Sequence, residues 1–302
     1  MKKVVCFGEV LWDMLPEGKK PGGAPMNVAY HLSRLGLASY MVSRVGDDPL
    51  GEELTLFLKK MGLSTDYIQI DADHKTSEVI ATEGANHEMS YDIVRPVAWD
   101  FIAFDSKTST LTESADLMVF GSLAARNEVS RHTLYELIEQ AKLKLFDVNF
   151  RAPHYEQSTV DYLLRKADIV KLNNHELRII ASWFGAERDN EQESINRLQD
   201  LYGIGEIIVT KGGEGASYYT LTERYDYKAY SVIVKDTVGS GDSFLAAFVA
   251  QKLLGKSIED MLDFAAALGA YVTAQAGANP DYKPTDLAHF MWQKQLEQLK
   301  WQ

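Results

Sequence analysis

The chain has 302 residues, 46% of them hydrophobic, enough to bury a sizeable core in one large or two small domains. Its 31 basic and 43 acidic side chains leave a net charge of −12, which argues against nucleic-acid binding, since that calls for clustered Lys and Arg. An anionic ligand must then be held by local devices: a glycine turn, a helix end, a metal ion or a single basic residue.

Residues 3–10 form a continuous apolar run, as expected of a strand in a parallel sheet buried on both faces. Cys6, the only cysteine, lies inside it and reads as a small buried residue. With no disulfide partner and no zinc spacing, it fits a reducing cytoplasm. Glu9 breaks the run and no cleavage pattern follows, so no secretory signal is expected. Helical spacing covers 27–35 and stops at Gly36. A second strand spans 39–45, and a helix over 51–61 stops at Gly62. From about 64 to 95 the pattern changes to alternating β-type runs at 67–70, 77–82 and 90–94, separated by polar turns. This predicts antiparallel structure exposed on one face, an insertion or lid.

The βα rhythm then resumes, with strands at 117–120, 143–148, 169–172 and 207–209. Helices are expected at 130–142, 160–166, 176–183, 193–202, 242–254 and 258–276. The weakly polar stretch 264–280 reads as buried helix and turn, because Gln275 and its many small residues do not suit a membrane span. Strand–helix alternation over most of the chain predicts an α/β fold with a mainly parallel sheet. Ligands of such sheets bind beyond the carboxyl ends of the strands. The polar residues that follow each strand are therefore the candidates for chemistry.

The clearest candidate is Asp236-Thr237-Val238-Gly239-Ser240-Gly241-Asp242, directly before an apolar helix. Its glycines allow a sharp turn, and the helix N-terminus offers unpaired N–H groups and partial positive charge. Asp242 adds a carboxylate, so the segment supplies both an anion hole and a base. There is no Walker A sequence, and the near-match to a dinucleotide fingerprint has Phe244 where its third glycine belongs. No His-Glu-x-x-His zinc helix occurs. Other polar turns follow other strands. Asp13 precedes the turn Gly22-Gly23-Ala24-Pro25-Met26-Asn27, which suits recognition of a small polyol. Asn149 and Arg151 follow residue 148. Asn173 and Glu176 stand three apart, a spacing that serves either as a helix capping box or as outer-shell support for a magnesium ion carrying phosphates. Thr210, Lys211 and Gly213 form a further glycine-rich turn.

Taken together, Gly22 to Ala29, Asp147-x-Asn149-x-Arg151, Asn173-x-x-Glu176, Thr210 to Gly213 and Asp236 to Asp242 resemble the PfkB (ribokinase-like) carbohydrate kinase family across nearly the whole chain. The early Gly8-Glu9-x-Leu11-x-Asp13 is most similar to bacterial fructokinases. The resemblance implies one ribokinase-like α/β domain over 1–302, with about 10–24 and 64–104 forming a small antiparallel β lid. It implies an ATP-dependent sugar kinase, with fructose as the first acceptor to consider, then 2-keto-3-deoxygluconate, then a riboside or nucleoside. A non-catalytic sugar or nucleotide sensor is the remote alternative.

By the same resemblance, Asp242 is the general base, and the backbone of Gly239, Ser240 and Gly241 is the anion hole. Asp13, Gly22, Gly23, Asn27, Asn149 and Arg151 bind the sugar, with Tyr91 and Arg95 reaching it from the lid. Asn173, Thr210, Lys211, Gly213, Ala278 and Asn279 belong to the nucleotide side, and Glu176 to Mg²⁺ through water. Asp236 and Thr237 belong to a monovalent-cation loop, which implies K⁺ as an activator. The partners implied are sugar and ATP, with no nucleic acid and no membrane, in the cytoplasm, and a homodimer through the lid. Two departures, Met26 in the double-glycine turn and Ala152-Pro153-His154-Tyr155 after Arg151, both fall on the sugar side.

Overall fold

A computed structural model describes residues 1–15, 18–83, 89–185 and 190–299, without the side chains of 81–83, 89–91 and 298–299. The chain opens with β1 (Lys3–Phe7), β2 (Leu11–Leu15), β3 (Gly18–Gly22), α1 (Ala24–Arg34), β4 (Ala38–Gly46), α2 (Pro49–Lys60), β5 (Ile68–Asp71), β6 (Ser77–Glu83) and β7 (Met89–Ile93). It continues through α3 (Ser106–Ser114), β8 (Leu117–Gly121), α4 (Glu128–Gln140), β9 (Lys144–Asp147), α5 (Gln157–Lys166), β10 (Ile169–Asn173), α6 (Asn174–Trp183), α7 (Glu191–Tyr202) and β11 (Glu206–Thr210). The last elements are β12 (Ala216–Tyr219), β13 (Arg224–Tyr227), α8 (Ser240–Leu253), α9 (Ile258–Thr273) and α10 (Pro284–Leu299).

Successive side chains of a strand point to opposite faces, and in β1 both faces are apolar. Val4 and Cys6 join a core with α1, α8 and α9, while Val5 and Phe7 join a second core on the other side. Each fully buried side chain of this size contributes about 1.5–3 kcal/mol relative to an exposed one, so both helical layers are needed. The resulting nine-stranded sheet runs β13-β12-β11-β10-β9-β8-β1-β4-β5. Its pairs from β5 to β11 are parallel, and β12 and β13 add an antiparallel edge. Strand order reverses at β1, which opens a crevice at the carboxyl ends of β1, β8, β9, β10 and β11.

The second sheet, β3-β2-β6-β7, arches over that crevice. Its outer pairs are antiparallel and β2 and β6 run parallel. The expectation of a lid over 64–104 needs one correction. β5 lies in that span, yet it pairs in parallel with β4 and extends the large sheet. Its alternating residues mark an edge strand, which is exposed on one face in either kind of sheet. Asp48 caps α2 by accepting from Gly51 N, and it also accepts from Thr76 N at 2.8 Å, so the same carboxylate pins the chain as it enters β6. No described helix is long and apolar enough to cross a membrane.

Candidate active site

Helix α8 fixes the floor of the site. Residues 243–250 are all buried, packed between α1, α9 and the sheet, as befits a helix that is apolar all round. Its N-cap, Gly239, has φ 76°, and an added Cβ would approach Ala278 Cβ to 2.5 Å, so only glycine fits this turn. Gly239 has no side chain to cap this end, and Gly241 and Asp242 carry first-turn N–H groups that have no intrahelical acceptor. The amide of Ser240 instead donates to Thr237 O at 3.3 Å, and its hydroxyl to Gly269 O at 3.3 Å. Ser240 therefore braces the turn from behind, and the anion-hole expectation narrows to the two glycines and Asp242.

Asp242 opens onto a cleft of about 590 Å³, within the range of small-ligand sites. Its Oδ2 accepts from Asn27 Nδ2 at 2.8 Å, and Asn27 Oδ1 accepts from Asn279 Nδ2 at 2.7 Å. Helix α1 and the segment after α9 thus orient the carboxylate carried by α8. Burial raises its proton affinity, and the Lys171 ammonium acts in the opposite sense. His31 on α1, kept neutral by burial that lowers its pKa to about 4, holds the Ala278 carbonyl at 2.9 Å. Asp236 Oδ2 accepts from Gly277 N at 3.0 Å, which closes the same side of the cleft.

The opposite side is built by the small sheet. Leu11, Asp13 and Leu15, alternate residues of β2, line the cleft together, joined by Val79 and Ile93. Burial pushes the Asp13 carboxyl up to about 6, against the pull of Arg151 and Lys20. Glu9, just past β1, is 3% exposed; one oxygen accepts from Ala24 N at 3.3 Å and Oε2 has no hydrogen-bond partner among the described residues. Burial pushes Glu9 up to about 7. Gly23 has φ 116°, and a side chain there would run into the Glu9 carbonyl, so the double-glycine turn is held against β1 by close backbone approach. Asn149 has φ 41°, the only positive value outside glycine among the described residues. Such a conformation is sparsely populated and concentrates at functional sites.

Most of the expected residues meet in this cleft: Asp13, Gly22, Gly23, Asn27, Asn149 and Arg151 on one side, and Asn173, Thr210, Asp236, Thr237, Gly239, Gly241, Asp242 and Ala278 on the other. Asn279 joins through Asn27. Others do not. Arg95 borders a separate small cavity with Arg126, Arg131 and His154; its exposed position after β7 directs it outward. Lys211 Nζ is held by Glu191 at 2.8 Å and by Ser217 on β12, away from the cleft lining, and Gly213 is exposed outside it. Tyr91 lies in β7, but its side chain is outside the described residues.

Asn173 and Glu176 form the capping box. Asn173 Oδ1 accepts from Glu176 N, and the Glu176 oxygens accept from Asn173 N at 2.8 Å and Phe150 N at 2.9 Å. Two residues went unassigned at the sequence level. Lys171, the third residue of β10, is buried and donates to both oxygens of Asp147 at 2.8 and 2.9 Å. A lysine inside an otherwise apolar buried strand must be paired, and that was the available signal. Glu9 gave a similar one, an acid at the end of a buried run.

The arrangement puts a carboxylate, free backbone donors and a polar, partly desolvated cleft around one point. It can take a proton from a hydroxyl and stabilise an anion beside it. The sequence profile of the pfkB family carbohydrate kinases matches residues 1–286. A probable fructokinase-5 from Arabidopsis thaliana is 30% identical, covering 92% of this chain and 93% of its own. The crystal structure of a fructokinase with bound ATP from Xylella fastidiosa superposes with a TM-score of 0.87 at 23% identity, over 97% of this chain and 99% of that one. A double-mutant fructokinase from Vibrio cholerae O395, in its fructose, ADP and potassium-bound form, gives 0.82 at 25% identity, over 96% and 98%.

Proposed function

The chain belongs to the pfkB family of carbohydrate kinases, and from that premise we propose that it is an ATP-dependent fructokinase that phosphorylates O6 of D-fructose. One observation carries the reading: the Asp242 carboxylate stands at the N-terminus of α8, in the same cleft as Asp13, Asn27 and Asn149. The names of the relatives point the same way.

Phosphoryl transfer through a loose transition state asks for positioning and charge stabilisation more than covalent chemistry. Asp242 takes the proton of the attacking hydroxyl. The amides at Gly239, Gly241 and Asp242, with the α8 dipole, meet the charge spread over the transferring oxygens. Asp13, Asn27, Asn149 and Arg151 orient the sugar, Asn173 and Thr210 the phosphates, and Ala278 the adenine. The small sheet excludes water and so limits hydrolysis of ATP.

Nucleotide is the second substrate, and a metal ion accompanies it. Glu176 and Asp147 have their oxygens committed to backbone N–H groups and to Lys171, so the residues fit an ion that keeps its waters and rides on the phosphates, as Mg²⁺ does. Asn173 and Glu176 would stand behind its water shell. Bound there, Mg²⁺ would neutralise charge on the β- and γ-phosphates. The Vibrio structure holds potassium, and we assign a K⁺ site to the Asp236–Thr237 loop; activity in KCl against choline chloride tests it. A cytoplasmic setting and a dimer through the small sheet complete the proposal, the latter checked by light scattering.

The deciding experiment is ADP release with ATP, Mg²⁺ and a panel of sugars. Fructose should give the highest kcat/KM. A higher value for 2-keto-3-deoxygluconate or a riboside would replace the acceptor and leave the kinase standing. No ADP with any sugar would remove the kinase.

A further inference from the structure

Lys171 has no place in the scheme above, yet it is the best-buried cation of the cleft. It is 7% exposed, in a strand whose other buried residues are all apolar. An ammonium taken out of water without a partner is strongly unfavourable, so its position carries a reason. Part of that reason is Asp147, which it grips through both oxygens. Its location supplies the rest. A Cβ built on Gly241 would lie 3.5 Å from Lys171 Nζ, so the ammonium sits directly under the turn from which Asp242 projects.

We propose that Lys171 is a positioning residue: from beneath the Gly239–Gly241 turn it holds Asp242 in its charged, proton-accepting form, and Asp147 sets how much of its charge Asp242 feels. The inference rests on Asp242 being the base.

The charges facing Asp242 come from every element packed against it. Lys171 on β10 and Arg151 after β9 favour the carboxylate; Asp147 at the end of β9 and Glu9 after β1 oppose it; Asn27 on α1 donates a hydrogen bond to it. Burial favours the protonated form of Asp242 and raises its proton affinity overall, and Lys171 is the largest influence against that. Burial likewise pulls Lys171 down, but Asp147, Asp242 and Glu176 together outweigh it, so the ammonium stays charged. One buried cation therefore serves two carboxylates at once. The acid limb of the pH profile reports the balance, because activity is lost as the base takes up its proton.

The test is kcat at saturating fructose against pH in Lys171→Met, Asp147→Asn and the double variant. An opposite charge a few ångströms away moves a carboxyl by about 1–3 pH units. In Lys171→Met the acid limb should rise by about one unit or more. In Asp147→Asn, which frees Lys171 for Asp242, it should fall. The double variant should return toward the wild-type limb. A lysine that merely braces Asp147 would lower activity in Lys171→Met and leave both limbs in place, which overturns the proposal; so does a limb that moves the same way in both single variants. Should Lys171→Met not fold, Lys171→Gln takes its place and is read by the same limb. Asp242→Asn is measured alongside. If it keeps near-normal turnover, the base assignment has failed; if it collapses while the limbs of the others stay put, only the role of Lys171 has failed.

Discussion

The two ends of the cleft are prepared in opposite ways. At the proposed phosphoryl end the side chains around the base are tied to one another before any ligand arrives: Asp242 is held by Asn27, Asn27 by Asn279, and Lys171 by Asp147. At the proposed sugar end Glu9 keeps an oxygen without a partner among the described residues, and burial has driven both Glu9 and Asp13 toward neutrality. A chemical step gains from groups that need not reorganise during reaction. A recognition surface gains from polar groups whose partners the ligand brings, because an analogue lacking a hydroxyl then leaves them unpaired. Under the proposed function, the difference between the ends is a division between rate and selectivity.

The largest way to break this contrast is Asp242→Asn. It keeps the bond pattern near Asn27 but removes the base, and should lower kcat by about 10²–10⁴-fold at unchanged thermal stability, read by ADP release. Near-normal turnover would sink the assignment.

Glu9→Gln sharpens the other end through stability. Folding raises this carboxyl from 4.5 to about 7, so the folded chain holds a proton that the unfolded chain releases between those values. The contribution is complete below about pH 4.5 and gone once pH has risen through about 7, roughly 3 kcal/mol in all. Urea unfolding from pH 4.5 to 7.5 should show the wild type losing more stability than Glu9→Gln by that order. Parallel curves would mean that Glu9 titrates as it does in the unfolded chain.

Asp13→Asn should raise KM for fructose about tenfold, the value of one lost charged hydrogen bond, with kcat nearly unchanged. Because burial places Asp13 at about 6, KM of the wild type should climb below that pH, and the variant should lose this dependence. An equal fall in kcat would move Asp13 from recognition to chemistry. The smallest effect is expected at Lys211→Met. Its ammonium is tied to Glu191 and Ser217 outside the cleft lining, so KM for ATP should stay within about twofold of wild type and stability within about 1 kcal/mol. A tenfold loss of ATP affinity would return Lys211 to the nucleotide side.

The turn and helix start that bring Asp242 to the cleft were legible in the sequence because their devices are local: a glycine turn, a helix start and an acid within seven consecutive residues. The large sheet was legible because strands buried on both faces, such as β8 and β11, read as unbroken apolar runs. What escaped lacked periodicity or depended on distant pairing. Helix α3, SKTSTLTES, is rich in Ser and Thr and buries only Thr108, Leu111 and Thr112, with Asp105 capping it. The edge hairpin of β12 and β13 and the terminal α10 were not anticipated, and β5 was assigned to the wrong sheet, because alternation does not tell a strand which neighbour it has. Lys171 read as strand filler, since its partner lies 24 residues away. Arg95 and Lys211 carried the right charge at the right turns, and the fold spent them elsewhere.

Helix α8 has a consequence for how this protein wears out. Its residues 243–250 are buried on every side, so their amides should exchange with solvent only when the whole molecule opens, and the small sheet at the rim of the cleft is expected to exchange through local opening. Heat should therefore erode substrate affinity first, as the small sheet loosens, and abolish turnover only at the global transition.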